Sequence, residues 1–454
     1  MNIKLNNIYN RLGIKSDRTK NIAKHVSLSF LYKGGSIISS FLLIPLTINY
    51  LDTENYGIWL TISSFIAWFS FFDVGLGNGL RNKFAEAKAK GEITLAKGYI
   101  SSAYFTIGAI SLFLIIVFLG LNFFINWTKV FNTSPKLQKD LSLLMPILFG
   151  FFCLQLVVKL ITTIYTADQN HSMQGKVNFY TQAGSVLIIW IMTKTSKASL
   201  LKFGLVFSVI PIILLFFLNL FAFNNPYREF KPSIKFCRKQ YLKEIFGLGI
   251  SFFIVQISWT VLTSTDNFII SKLYSPKEVV PYNLALKLFS VVTMIYSIIV
   301  TPYWSSFSES YLKKDFHWIV NSMKNLKKFM VIFSVFCLML LAISKFLYSF
   351  WLGEKVKIPF QLSGLICIYT LLMVYLTPYN YFLNGTGKIK LQLYQSVLMA
   401  IINIPVSIFF AKSLNFGVNG IIIGTIICVI PGVILSRIQF FKIVTSTAMG
   451  IWDK

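Results

Sequence analysis

The chain has 454 residues, of which 55% are hydrophobic, 16% aromatic and only 13% charged. A soluble protein covers its surface with roughly a quarter charged residues, so this composition excludes most water-soluble folds. The charge is one-sided, 43 Lys and Arg against 16 Asp and Glu, a formal +27. The basic residues punctuate long apolar stretches instead of forming patches on a polar chain, which argues against a nucleic-acid binder.

Residues 1 to 25 are polar and basic and lack the short apolar core and small-residue exit of a cleavable signal, so the first helix is expected to stay as an anchor. A membrane helix needs about 20 mostly apolar residues. Twelve stretches meet that need: 28–50, 57–80, 99–125, 141–166, 177–193, 203–222, 246–271, 281–305, 329–350, 359–383, 391–411 and 415–436. The expected fold is an all-α polytopic membrane protein. Cytoplasmic connectors retain positive charge. With the N-terminus inside, the inner segments hold 28 Lys and Arg, the outer connectors 11, and the spans the remaining four, Lys33, Lys159, Lys287 and Lys345. Both termini are then cytoplasmic.

The longest polar interruption near the middle, 223–243, divides the chain into an N-terminal six-helix lobe (1–222), a basic cytoplasmic linker and a C-terminal six-helix lobe (244–454). Two lobes of the same orientation suit a parallel-repeat transporter that rocks about a central cavity. Pro45, Pro146, Pro211, Pro378, Pro405 and Pro431 fall inside spans, where they kink helices.

Intramembrane charge costs about 2.5–3.5 kcal/mol per residue on insertion scales and calls for a partner or a watery cavity. In the first helix Lys33, Ser36 and Ser40 form a stripe; in the second Ser63, Ser70, Asp73 and Gly77; in the fourth Gln155, Lys159, Thr162 and Thr166 recur at helical spacing. These stripes imply a cavity of net positive lining open to the cytoplasm. In the seventh helix Gln256, Thr260, Thr263 and Asn267 align beside Asp266, and in the eighth Asn283, Lys287, Ser290 and Ser297 align; Asp266 and Lys287 are candidates for a salt bridge. Lys345, near a helix end, snorkels. The candidate cavity residues are therefore Lys33, Ser36, Ser40, Asp73, Gln155, Lys159, Asp266, Asn267 and Lys287.

Catalytic signals are absent. Five cysteines show no close pairing and His25, His171 and His317 lie far apart, so neither a disulfide framework nor a metal site is expected. Gly75-Leu76-Gly77-Asn78-Gly79 has the glycine spacing of a phosphate loop, but it follows an apolar helix and no Gly-Lys-Ser/Thr succeeds it. No Ser/His/Asp set or HExxH pattern occurs, and the chain is read as no enzyme.

The run Asn55-Tyr56-Gly57-Ile58-Trp59-Leu60-Thr61, followed by Phe71-Phe72-Asp73-Val74-Gly75-Leu76-Gly77-Asn78-Gly79-Leu80-Arg81-Asn82-Lys83-Phe84-Ala85-Glu86-Ala87, resembles the opening two helices and first cytoplasmic loop of Wzx-type polysaccharide flippases. These belong to the multidrug/oligosaccharidyl-lipid/polysaccharide exporter superfamily. The resemblance implies two six-helix lobes around a cationic cavity, in the bacterial inner membrane. It implies a substrate of undecaprenyl-diphosphate-linked oligosaccharide repeat units (O-antigen or capsule), moved to the periplasmic leaflet without a cofactor and coupled to a proton or sodium gradient. A polysaccharide polymerase and a chain-length regulator are the implied protein partners. The family's substrate-site residues vary too much to carry over; within the motif only Asp73 and Arg81 match. Two other readings stay open. A small-solute or drug antiporter of the same superfamily would favour an acidic cavity. An integral-membrane polymerase or glycosyltransferase would need larger outer loops and paired carboxylates.

Overall fold

The computed structural model describes residues 17–69, 76–168, 170, 172–247, 250–353 and 355–454, with side chains described except at 17–30, 76, 78, 246–247, 250–253, 256 and 305. In chain order the helices are α1 (Asp17–Leu51), α2 (Thr53–Trp68), α3 (Leu76–Ala89), α4 (Ile93–Asn122), α5 (Trp127–Phe131), α6 (Gln138–Val158), α7 (Leu160–Ala167), α8 (Ser172–Thr195), α9 (Leu200–Asn224), α10 (Lys239–Gly247), α11 (Ile250–Leu273), α12 (Pro276–Leu312), α13 (Phe316–Leu352), α14 (Phe360–Thr386), α15 (Lys390–Ile408) and α16 (Val418–Val444). A π turn over Phe409–Ser413 ends α15. Among the described residues no β-strand occurs.

Nine helical stretches among the described residues are long and apolar enough to cross a bilayer. Of the three other expected spans, 57–80 runs through 70–75, outside the described residues. The remaining two correspond to α8 and α11, each 24 residues long. At about 36 Å these could span the core, and it is their Ser, Thr, Asn, Gln and Lys content that sets them apart. Helices α12 and α13 have 37 residues each, about 55 Å, so they outrun the hydrocarbon. All six expected prolines lie inside helices, joined by Pro281 and Pro302 of α12.

Two compact units emerge from the packing. The first is Met1–Asp52, Phe69–Val130 and Ser134–Ile250; the second is Thr53–Trp68, Phe131–Thr133 and Ser251–Lys454. In the first, α1 lies along α8, and α4 and α9 both lie against α6. Phe118 stacks on Phe149 with ring centres 4.1 Å apart. In the second, α12 lies along α14 and also along α2, and α16 is flanked by α14 and α15.

The connector 223–243 is no loose linker. Ser101 and Ser102 hydroxyls accept from the backbone N–H groups of Ser233 and Arg238, each at 3.1 Å, and the Tyr99 hydroxyl donates to Glu244. Large apolar side chains stay exposed on many helices, such as Phe113, Ile116, Phe217, Val331 and Phe346. In water such a surface would aggregate, whereas in a bilayer it meets acyl chains.

Candidate functional site

The first unit carries the candidates Lys33, Ser36, Ser40, Gln155 and Lys159. Asp73 and Gly75 lie outside the described residues. On α1 Lys33 is exposed, Ser36 half-buried and Ser40 buried, its hydroxyl donating to the Ile37 carbonyl at 2.8 Å. The stripe is therefore partly self-satisfied. The neighbouring face of α1 meets α8: a methyl group on Gly35 would sit 2.6 Å from the Phe179 ring.

Lys159 marks a break. It separates α6 from α7, and the Thr162 amide turns back to its carbonyl at 2.9 Å, an i to i+3 bond that tightens the helix locally. Thr162 and Thr166 bond their hydroxyls to the carbonyls of Lys159 and Thr162, at 2.8 and 2.7 Å, a pattern that bends helices. Of the polar face expected here, two members are thus spent on the backbone, and half-buried Gln155 and exposed Lys159 are left to face outward. Among the described residues no carboxylate pairs with Lys159.

The carbonyl next to the break is held by a residue absent from the sequence-based candidates. Asn219 of α9 donates to the Val158 carbonyl at 2.8 Å and accepts from the Tyr104 hydroxyl of α4 at 2.7 Å. A lone Asn in an otherwise apolar span was the available signal.

From Leu76 on, the glycine motif opens α3. Gly79 is buried at a helix crossing: a Cβ there would fall 2.0 Å from the carbonyl oxygen of Ile245, so only glycine admits α10. Gly77 is half-buried, Arg81 points outward, and the side chain of Asn78 lies outside the described residues. The basic stretch expected as a loop from Arg81 is helical through Ala89. At its end Lys88 pairs with Asp168 at 2.5 Å, and Tyr227 donates to the other oxygen of Asp168 at 3.0 Å. Burial first, and then the Asp168 charge, hold the Tyr227 phenol well above its ordinary pKa, so it stays a donor.

In the second unit Asp266 and Asn267, adjacent on α11, diverge. Asp266 is 2% exposed. Its carboxylate accepts from the Tyr282 hydroxyl of α12 at 2.5 Å and the Thr425 hydroxyl of α16 at 3.1 Å. Asn403 of α15 donates to Thr425 at 3.1 Å, while the Asn403 Oδ1 is buried without a donor. The expected bridge to Lys287 is not formed: Asp266 faces hydroxyls, and half-buried Lys287 one turn beyond Tyr282 makes other contacts. Asn267 is buried in a reciprocal amide pair with Asn283, at 2.6 and 3.3 Å, and donates to Ser64 of α2 at 2.8 Å. Thr263, expected on the polar face, back-bonds to Trp259, and Gln256 lies outside the described side chains. Thr425 and Asn403 escaped the sequence reading because helices more than 100 residues away in the chain supply them, and Tyr282, 16 residues on, because its helix turns back against α11.

A second meeting of side chains from different helices involves two cysteines. The Sγ atoms of Cys337 and Cys367, both buried, lie 3.3 Å apart between α13 and α14 as free thiols. Among the described residues no group of three or more His, Cys, Asp or Glu could hold a metal ion.

Residues 22–308 match the family model described as polysaccharide biosynthesis protein. The chain belongs to this family. A second match, to the MatE model, covers residues 252–409 and overlaps the first. A Yersinia pseudotuberculosis protein named for O-antigen export is 24% identical over 404 residues, covering 86% of this chain and 89% of that one. A Salmonella typhimurium protein named as an O-antigen transporter is 23% identical, over 85% and 88%. Among solved structures, an inward-facing multidrug resistance MATE family transporter of the MOP superfamily superposes with a TM-score of 0.77 at 11% identity, covering 93% of this chain and all of that one. An outward-facing structure of that description gives 0.65, with 95% and 97% covered. The polysaccharide biosynthesis protein thus has the two-lobe MATE-like fold of a multi-pass membrane protein and sits among transporters, not enzymes.

Proposed function

We infer that the chain is a flippase for undecaprenyl-diphosphate-linked oligosaccharide units, O-antigen or capsule, working in the bacterial inner membrane with both termini cytoplasmic. Its family membership and the O-antigen names of its relatives support the class of cargo. The observation that carries the reading is Lys159. An ammonium exposed at a helix break, about 12 Å along the axis from the end of its span, is stable only beside water or an anion. A lipid diphosphate is such an anion, and its hydrated sugar cannot cross hydrocarbon unaided. Lys33, Gln155 and Ser36 join Lys159 in lining the polar route. Asp73 and Lys287 complete the set of candidate contacts. The polyprenyl tail stays in lipid while the head alternates between the two faces.

Coupling is assigned to Asp266. A buried carboxylate surrounded by hydroxyls, with an acceptor of Asn403 left over, favours either a proton on the acid or a small cation beside it. Taking up and releasing that proton or sodium ion would tie the two access states to a gradient. Asp266 thereby moves from substrate contact to ion site, and Asn267 and Ser40 become packing residues. The delivered units would pass to a polymerase and a chain-length regulator.

The match of residues 252–409 to MatE favours, as the second reading, export of small solutes. A cationic drug would meet like charge at Lys33 and Lys159, which sets that reading second. Deleting the gene decides between them: lipid-linked repeat units accumulate facing the cytoplasm if the flippase reading holds, and their continued appearance outside overturns it.

A further inference from the structure

On the second unit α13, α14 and α16 leave an open groove of about 830 Å³. Its walls are apolar, with Met330 of α13, Leu371 and Leu372 of α14, and Val433, Ile434 and Ile438 of α16. Ser334 on the same wall spends its hydroxyl on the Met330 carbonyl at 2.7 Å and offers nothing to a ligand. One end is different. The Lys327 Nζ lies 5.6 Å from the centre of the Phe441 ring and the Arg437 guanidinium carbon 5.8 Å from the same centre. Two cations held around one ring repel each other, and among the described residues neither has a carboxylate partner. Arg437 is exposed and Lys327 half-buried. Both fall in segments that the charge count places on the cytoplasmic side.

An apolar channel that ends in two unneutralised cations is complementary to an amphiphile with an anionic head. Its length selects among such amphiphiles. From Val433 to Phe441 the groove runs about 12 Å along α16, close to one leaflet of a hydrocarbon core about 30 Å thick. A phospholipid chain ends within that depth, whereas a polyprenyl chain would run on past Leu371 into the adjoining hollow of about 520 Å³ near Phe416. Basic pockets between membrane helices at the cytoplasmic side are recognised binding places for anionic lipid heads. We propose that this groove is a binding site for an anionic glycerophospholipid of the inner leaflet, its phosphate between Lys327 and Arg437 and an acyl chain along α14 and α16. The site is independent of the cargo reading, because transport is not needed to see it.

Native mass spectrometry of the purified full chain, titrated with phosphatidylglycerol, phosphatidylcholine or undecaprenyl phosphate, tests it. One phosphatidylglycerol should be retained per chain, and the double variant Lys327→Gln/Arg437→Gln should bind it about 30-fold more weakly. Ile434→Trp, which fills the groove and leaves both cations in place, should also release the lipid, so misfolding of the double variant would not hide the result. Equal retention of phosphatidylcholine, unchanged binding in both variants, or displacement of phosphatidylglycerol by an equal amount of undecaprenyl phosphate overturns the proposal, the last by giving the groove to the cargo's tail.

Discussion

Lys159 in the first unit and Asp266 in the second are both ionisable groups inside long apolar segments, yet the fold treats them differently. Lys159 stands exposed at a helix break whose loose carbonyl is held by Asn219. Asp266 is 2% exposed and bonded to two hydroxyls from other helices. An exposed charge inside a membrane protein needs something outside the protein to neutralise it, and a buried one needs something small enough to reach it. The first fits a bulky anionic cargo, the second a proton or sodium ion. The sign of a residue alone does not separate these roles; its exposure and the identity of its partners do.

Asp266→Asn should have the largest effect. It keeps the hydrogen-bonding shape but removes the exchangeable charge, whose cost in the bilayer, about 2.5–3.5 kcal/mol, corresponds to on the order of 100-fold in an equilibrium. Surface polysaccharide should fall at least that far at normal membrane levels of protein, and gradient-driven uptake of the cation should vanish with it. Normal polymer in this variant would remove Asp266 from coupling.

Lys159→Ala should come next. A hydrogen bond to a charged group is worth about 1.5–3 kcal/mol, so cargo affinity should drop on the order of 10- to 100-fold while Lys159→Arg keeps most of it. Because the side chain is exposed, the melting temperature should not move. A fall in stability equal to the fall in transport would make Lys159 a packing residue.

Smaller effects test the joints on which each contrasted residue depends. A Cβ at Gly57 would fall 1.9 Å from the Pro276 carbonyl oxygen where α2 meets α12, as one at Gly79 would fall 2.0 Å from that of Ile245. Gly57→Ala and Gly79→Ala should each cost about 1–3 kcal/mol in thermal unfolding. Gly108→Ala, where nothing lies within 4 Å, should gain about 0.5–1 kcal/mol. Equal shifts at all three positions would deny that these crossings are tight.

Lys88→Ala should do least. Lys88 and Asp168 are each 37% exposed, so the pair is worth about 0–1 kcal/mol and less in high salt. The measurement is unfolding at low and high ionic strength; a larger, salt-insensitive loss would show that Tyr227 and Asp168 act with Lys88 as one unit.

Much of the fold was legible because membrane spans announce themselves by apolar length, and charge asymmetry by counting. The breaks were harder. Thr162 and Thr166 look like cavity lining at helical spacing, and only the structure shows their hydroxyls turned onto the backbone. The apolar run of the glycine motif hid a crossing at Gly79 because its neighbour, Ile245, is remote in sequence. Asp266 was visible as an intramembrane acid, but the opposite charge expected to pair with it inside the membrane, Lys287, was the wrong partner. Tyr282 sits 16 residues on, on the next helix, and Thr425 lies 159 residues away. Helical periodicity predicts which residues share a face; it does not tell which distant helix that face meets.

Transbilayer movement itself is the most direct test. Purified chain in sealed vesicles loaded on the inner leaflet with an undecaprenyl-diphosphate-linked oligosaccharide should make the sugar accessible to an external glycosidase when a proton or sodium gradient is imposed, and Lys159→Ala should slow that exposure at least about tenfold. Sugar that stays protected with the native chain under every gradient, or that emerges equally fast in the Lys159 variant, would contradict a flippase whose cargo is held by that lysine.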